Sequence, residues 1–203
     1  MNSLFEGKSA LIYDVEILKA IPPKSSSKRV TGVDYCKGWE DYANMGIACI
    51  GAYDYGSGRY RVFGWESRAE FISLCQERNP LVSFNGIRFD NKVIEAAWNH
   101  SIPDDRCYDL LRQAWMAGGL DPDHFDGQTH GGYGLDALAK ANFGMAKTGD
   151  GALAPVDWQR NRRCSVIDYC LNDVRITRRI WERVITKLPI TAKGQQLTLE
   201  SPS

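Results

Sequence analysis

The sequence has no excess of charge of either sign and no long apolar run. Its 203 residues carry 25 basic and 25 acidic side chains, so no overall positive field draws polyanions to the protein. No stretch approaches the roughly 18 apolar residues of a membrane span, and the first ten residues lack the apolar core of a signal peptide. We therefore expect a cytoplasmic protein with no membrane partner, in which clustered cations or bound metal would hold any polyanion.

Cysteine pairs with zinc-binding or redox spacing are also missing. The six cysteines contain no C-x-x-C pair, which argues against a zinc ribbon or a thioredoxin-type site. The simplest interpretation is a set of reduced, mostly buried thiols.

The length and the ordinary composition predict one globular domain. We place this domain at residues 1–190 and expect a polar, frayed tail at 191–203. Residues 17–38 contain Pro22-Pro23 and three consecutive serines, and are predicted to form a loop insertion after the first strand.

The predicted elements begin with strands and continue with alternating helices and strands. Strands are predicted at 9–16, 45–53, 60–63 and 80–84, and helices at 67–79, 89–98, 109–115, 135–143 and 165–188, the last with a capping box at Ser165 and Asp168. This order predicts an α/β domain with a mixed central sheet flanked by helices.

The first acidic motif closes the first predicted strand. Asp14 and Glu16 are two residues apart, so both side chains point to the same face of a strand. Carboxylates in an apolar run need partners or metal, although a solvated strand end is the simpler interpretation of this pair alone.

Two further motifs follow along the chain. Asp90 stands at the start of a predicted helix, where a negative charge is favoured, and follows an Asn85-Gly86 turn. Tyr169 and Asp173 are four residues apart and therefore share one helix face. Each alone is consistent with a helix-terminal carboxylate or an amphipathic helix, but the joint pattern favours one site.

The three segments YDVE (13–16), FNGIRFDN (84–91) and YCLND (169–173) resemble the motifs of the DEDDy 3′→5′ exonucleases, particularly the proofreading module of family B DNA polymerases. The resemblance implies a ribonuclease-H-like fold and an active site in which Tyr169 orients the attacking water. It implies four metal ligands: Asp14, Glu16, Asp90 and Asp173. The histidine-type relatives place a base five residues before the last acid, and Asp168 stands there, so the tyrosine subtype fits.

The implied reaction is two-metal hydrolysis of phosphodiester bonds from the 3′ end of single-stranded nucleic acid, with DNA favoured. An all-carboxylate site suits two Mg²⁺ or Mn²⁺ ions, because these hard cations prefer oxygen ligands. Tyr169 would hydrogen-bond the water instead of acting as a strong base, since a phenol titrates near pH ~10.

The substrate contacts follow less directly from the motifs. Asn85 would contact the substrate backbone or a bound water, or serve only as a turn residue. Ile17 occupies a position where the family often has a small hydroxyl residue. Arg162 and Arg163, with Lys147 upstream, are candidates for phosphate binding or for a solvated loop. Four cations of the 17–38 stretch are candidates for contact with a strand end or belong to a flexible loop: Lys24, Lys28, Arg29 and Lys37.

Several alternatives stay open at this point. A catalytically inert nucleic-acid-binding or docking module, an exoribonuclease, and an endonuclease or integrase would share the fold. The choice between DNA and RNA depends on contacts to the 2′ position, which no motif reveals. The pathway, the oligomeric state and the roles of the 17–38 and 118–134 loops are likewise undetermined by the sequence.

Overall fold

The protein is built around a five-stranded mixed sheet, seen in a computed structural model that describes residues 9–146 and 149–202. Its strands are β1 (Leu11–Ile17), β2 (Ile47–Asp54), β3 (Arg59–Phe63), β4 (Leu81–Ser83) and β5 (Cys107–Asp109), in the spatial order β3-β2-β1-β4-β5. β1 pairs antiparallel with β2 and parallel with β4, and β4 pairs parallel with β5. The predicted mixed α/β sheet is confirmed.

Helices cover both faces of this sheet. They are α1 (Tyr42–Met45), α2 (Arg68–Glu77), α3 (Asp90–Trp98), α4 (Leu110–Ala117), α5 (Leu135–Phe143), α6 (Ala154–Gln159) and α7 (Arg163–Ile185). Alternate residues of β1 enter two different cores: Leu11 and Tyr13 pack with Phe71, whereas Ile12 packs with Val174. β1 is therefore buried on both faces, which explains its nearly continuous apolar sequence.

α7 is the longest element, at 23 residues, and lies across β1 and β2. Its buried side chains recur every three or four residues and include Tyr169 and Asp173. The predicted capping box is wrong, because α7 begins at Arg163 and Ser165 already lies inside it. The backbone N–H of Arg162 donates to the Asp157 carbonyl at 2.8 Å, and this tight turn after α6 starts the helix early. No helix among the described residues is long and apolar enough to cross a bilayer.

The C-terminal segment is ordered up to residue 202, so the prediction of a frayed tail is wrong there. β6 (Ile190–Ala192) and β7 (Gln195–Leu197) form a separate hairpin around a Lys193-Gly194 turn with positive φ at both positions. Alternating apolar side chains at 190, 192, 197 and 199 are buried in the same core as Trp181. Their burial explains why this polar-looking segment folds back onto α7.

Candidate active site

One cavity of about 470 Å³ collects the sequence-predicted site residues at the end of β1. Its lining includes Asp14, Glu16, Ile17, Asn85, Asp90, Tyr169 and Asp173. These residues come from β1, from the turn after β4, from the first turn of α3 and from one face of α7. The fold thus brings together three sequence segments that are far apart along the chain.

Asp14 and Glu16 lie on the face of β1 that contacts α7. One carboxylate oxygen of each and the Cys170 thiol sulfur lie within 4.8 Å of one another. The sulfur accepts a hydrogen bond from the Gly51 N–H at 3.1 Å and donates to the Asp14 carbonyl at 3.5 Å. The thiol therefore joins α7 to the sheet, while the two carboxylates offer oxygen atoms of the kind that hard cations prefer.

The close approach of α7 to the sheet depends on a missing side chain. Gly51 pairs with Asp14 across the β1–β2 ladder. A Cβ at position 51 would lie 2.8 Å from the Cys170 sulfur and 3.3 Å from a Val174 methyl carbon. Only glycine leaves room for the helix at this point.

Asp90 links the first turn of α3 to β1. Its carboxylate accepts a hydrogen bond from the backbone N–H of Val15 at 2.8 Å, directly between the two acids of β1. Burial, together with the negative charge of Asp14, raises the pKa of Asp90 well above its ordinary value, although the Val15 hydrogen bond opposes this. The crowding of buried carboxylates around one point is an arrangement that a bound divalent cation would relieve.

Tyr169 and Asp173 are supplied by consecutive turns of α7 and are 7% and 2% exposed. The loop before α6 packs tightly on the tyrosine: a Cβ at Gly149 would lie 2.9 Å from a ring carbon, and one at Gly151 would lie 3.3 Å from the hydroxyl. The loop thus packs closely on the phenol at two glycines and leaves the ring little room to move.

Asp109 organises the turn that carries Asn85 into the site. Its carboxylate accepts hydrogen bonds from the N–H groups of Asn85 at 2.8 Å and Ile87 at 3.2 Å, and also from Leu111 at 3.0 Å at the start of α4. Burial raises the pKa of Asp109, although these backbone hydrogen bonds oppose the shift. Asn85 adopts φ +66°, a left-handed conformation that asparagine tolerates. The sequence analysis placed Asp109 at the start of a predicted helix but missed this support of the site.

We predict that Asp109→Ala destabilises the protein by about 2 kcal/mol or more, because it removes a helix cap and leaves buried N–H groups without an acceptor. Urea unfolding measures this change. Asp109→Asn keeps one carbonyl oxygen as an acceptor, so we expect it to lose less stability than Asp109→Ala. Equal stability of Asp109→Ala and the wild type would contradict the role of this carboxylate in holding the turn.

The structure places the predicted phosphate-binding arginines away from the cavity lining. Arg162 forms an ion pair with Asp157 at 3.0 Å, and the Arg163 guanidinium lies 5.4 Å from the ring centroid of Trp158. Lys24 and Lys28 line the cavity instead. Lys147 falls outside the described residues, and no residue of the described 118–134 loop lines the cavity.

The sheet order, the flanking helices and the carboxylates at the end of the central strand define a ribonuclease-H-like α/β fold. A family model of the RNase_H superfamily (RNase_H_2) matches residues 36–185, and the chain belongs to this superfamily. The match begins after β1 and therefore includes Asp90, Tyr169 and Asp173 but not Asp14 and Glu16. Membership indicates a nuclease-type function.

The chain is also similar in structure to the family B DNA polymerase from the hyperthermophilic archaeon Pyrobaculum calidifontis, with a TM-score of 0.58 and 15% sequence identity. The similarity covers 87% of this chain and 24% of the polymerase chain. At this identity the likeness concerns the fold alone. A search of curated proteins found no significant match.

Proposed function

We propose that this protein is a metal-dependent 3′→5′ exonuclease of the tyrosine subtype that acts on single-stranded nucleic acid, with DNA favoured. The observation that carries the proposal is the convergence of four carboxylates and one buried tyrosine on a single cavity. A surface cluster of acids would not require Asp90, Glu16 and Asp173 to be buried at about 5% exposure or less.

The donor set fits Mg²⁺ or Mn²⁺. Asp14, Glu16, Asp90 and Asp173 would hold two such ions through carboxylate oxygens. The bound ions would supply an activated water at neutral pH and would stabilise charge on the leaving 3′-oxygen. The Cys170 sulfur is already hydrogen-bonded to the backbone of β1 and β2, so it acts in this proposal as a packing group.

Tyr169 would hydrogen-bond the attacking water and hold it in line with the scissile bond. The water oxygen bonds to phosphorus while the bond from phosphorus to the 3′-oxygen breaks. The attacking water gives up one proton as its oxygen bonds to phosphorus, the leaving 3′-oxygen takes up one proton, and a nucleoside 5′-monophosphate is released. Packing of Gly149 and Gly151 against the phenol supports this role, because orientation requires a ring that cannot swing freely.

An end-labelled assay tests the direction and substrate of this reaction. With Mn²⁺, stepwise release of mononucleotides from the 3′ end of a linear strand is expected, and a circular single strand should stay intact. Matched DNA and RNA strands show which sugar is preferred. Internal cleavage of the circle would favour an endonuclease, and binding without cleavage would favour an inert docking module.

Tyr169→Phe is expected to lower kcat by roughly 10- to 100-fold, because the water loses its hydrogen-bond partner and its alignment. Stabilisation of the protein by Mn²⁺ should stay as in the wild type, since the carboxylates remain. Tyr60→Phe, on β3 outside the cavity, is the matched control. Unchanged turnover of Tyr169→Phe would remove the tyrosine from the mechanism.

A further inference from the structure

The segment between β1 and α1, residues 18–41, forms one wall of the cavity, and residues 151–156 contribute another part of the lining. The wall is apolar around Ala20–Pro23, and it carries Lys24, Lys28 and Trp39. Among the described residues, these two lysines are the only basic side chains that line the cavity. The wall thus brings apolar surface and positive charge to the cavity that also holds the four acids.

This wall is held in place by specific hydrogen bonds. The Ala20 N–H donates to the Asp34 carbonyl at 3.0 Å, and the Cys36 N–H donates to the Ala20 carbonyl at 3.0 Å. The Gln159 side chain of α6 donates to the Leu18 carbonyl at 2.9 Å and accepts from the Asp34 N–H at 2.7 Å. Gln159 therefore ties the wall to α6, which itself contributes Pro155 and Val156 to the cavity lining.

Trp39 is the most exposed large apolar side chain of the described residues, at 70% exposure. Its ring meets Phe89 edge to face, with centroids 5.9 Å apart, and Phe89 also contacts Tyr42. Phe89 directly precedes Asp90, so the indole is supported next to a proposed metal ligand. The rest of the indole surface stays open to solvent at the cavity.

We propose that residues 18–41 bind the single strand that enters the site: Trp39 stacks on a base next to the terminal nucleotide, and Lys24 and Lys28 bind its phosphates. Aromatic stacking accepts every base, and lysine contacts to phosphate carry no sequence information. The zero net charge of the protein makes such local contacts necessary for holding a polyanion. This inference rests on the proposed function.

The stacking contact is tested by measuring the affinity for a 5′-fluorescein oligothymidylate. Fluorescence anisotropy is the readout, and EDTA is present so that no hydrolysis occurs. Trp39→Ala is expected to weaken binding by about 5- to 100-fold, the range that base–aromatic stacking supports, and Trp39→Phe should retain most of the affinity. The matched control is Trp65→Ala, because Trp65 is 58% exposed, stacks on Arg68 and lies outside the cavity lining. Equal affinities of Trp39→Ala and Trp65→Ala would overturn the contact.

A kinetic comparison separates this inference from the proposed function. The p-nitrophenyl ester of thymidine 5′-phosphate offers one base, whereas the oligothymidylate offers several. Trp39→Ala should lower kcat/KM for the oligonucleotide at least about 5-fold more than kcat/KM for the ester. Equal losses for the two substrates would overturn stacking on a neighbouring base. Strand binding that depends on Trp39, with no hydrolysis of either substrate, would refute the exonuclease and keep the binding surface.

The lysines are tested by the salt dependence of binding. Each phosphate contact to a single strand adds about 0.7 to the slope of log affinity against log salt. The Lys24→Ala/Lys28→Ala double variant should therefore lose about 1.4 from this slope. Lys92→Ala/Lys187→Ala removes the same charge outside the cavity lining and is the control. An equal slope for the two double variants would refute phosphate binding by Lys24 and Lys28.

Discussion

Asp14→Asn and Asp173→Asn are each expected to lower hydrolysis of a single strand by about 100- to 1,000-fold or more, the loss seen when one group that stabilises a transition state is removed. Both substitutions keep the size of the side chain and remove its charge. Asp14 comes from β1 and Asp173 from α7, so their joint effect would show that both halves of the cavity serve one reaction. Mononucleotide release under saturating Mn²⁺ is the measurement.

Asp168→Asn is the matched control for this prediction. Asp168 lies on the same helix and carries the same charge, but its side chain is exposed and does not line the cavity. It also occupies the position at which the histidine subtype would have its base. Wild-type activity of Asp168→Asn, with an unchanged circular dichroism spectrum for all three variants, is expected. Wild-type-like cleavage by Asp14→Asn and Asp173→Asn would refute the site.

The second large effect concerns stability with and without metal. Mn²⁺ at a hundredfold excess over its dissociation constant should stabilise the wild type by about 2.7 kcal/mol. For a domain of this size, that is an increase in Tm of roughly 5–10 °C. The physical reason is that the cation neutralises carboxylates that are buried close together, whereas the unfolded chain offers no such cluster.

Asp14→Asn should change the stability of the protein in opposite directions with and without metal. Burial, together with the negative charge of Asp14, raises the pKa of Asp90, so removing that charge by Asp14→Asn should stabilise the protein in EDTA near neutral pH and raise its Tm. In Mn²⁺ the variant should lose most of the metal-dependent increase in Tm. Thermal melts of wild type, Asp14→Asn and Asp168→Asn in EDTA and in Mn²⁺ measure both effects. An Mn²⁺-dependent increase equal to that of the wild type would contradict metal binding by Asp14.

The sequence predicted four of the five strands, all except β5, and the shared face of the side chains within each motif, because these depend on local signals. The apolar run of β1 and the spacing of Asp14 and Glu16 indicate one strand face, and the four-residue spacing of Tyr169 and Asp173 indicates one helix face. Asp90 was predicted at a helix start, and α3 begins there. These features need no knowledge of the rest of the fold.

Features that depend on contacts between distant segments could not be predicted in this way. The two hydrogen bonds that Asp109 accepts from Asn85 and Ile87, and the one that Gln159 accepts from Asp34, join residues more than 20 positions apart, and no local pattern indicates them. The hairpin of β6 and β7 did leave a signal, since apolar residues alternate on both sides of Lys193-Gly194. The alternation was not recognised because most residues of this segment are polar. The short helix α6, beginning at Ala154, was not predicted because it spans only six residues.

Gly51 has a consequence for how this protein tolerates change. The residue lies under α7 and does not line the cavity, yet a single added methyl group would push against Cys170 and Val174 and move the helix that carries Tyr169 and Asp173. If every position were substituted and each variant assayed for activity, position 51 would therefore be as intolerant to change as the four acids. Any redesign of the proposed active site therefore has to keep position 51 without a side chain.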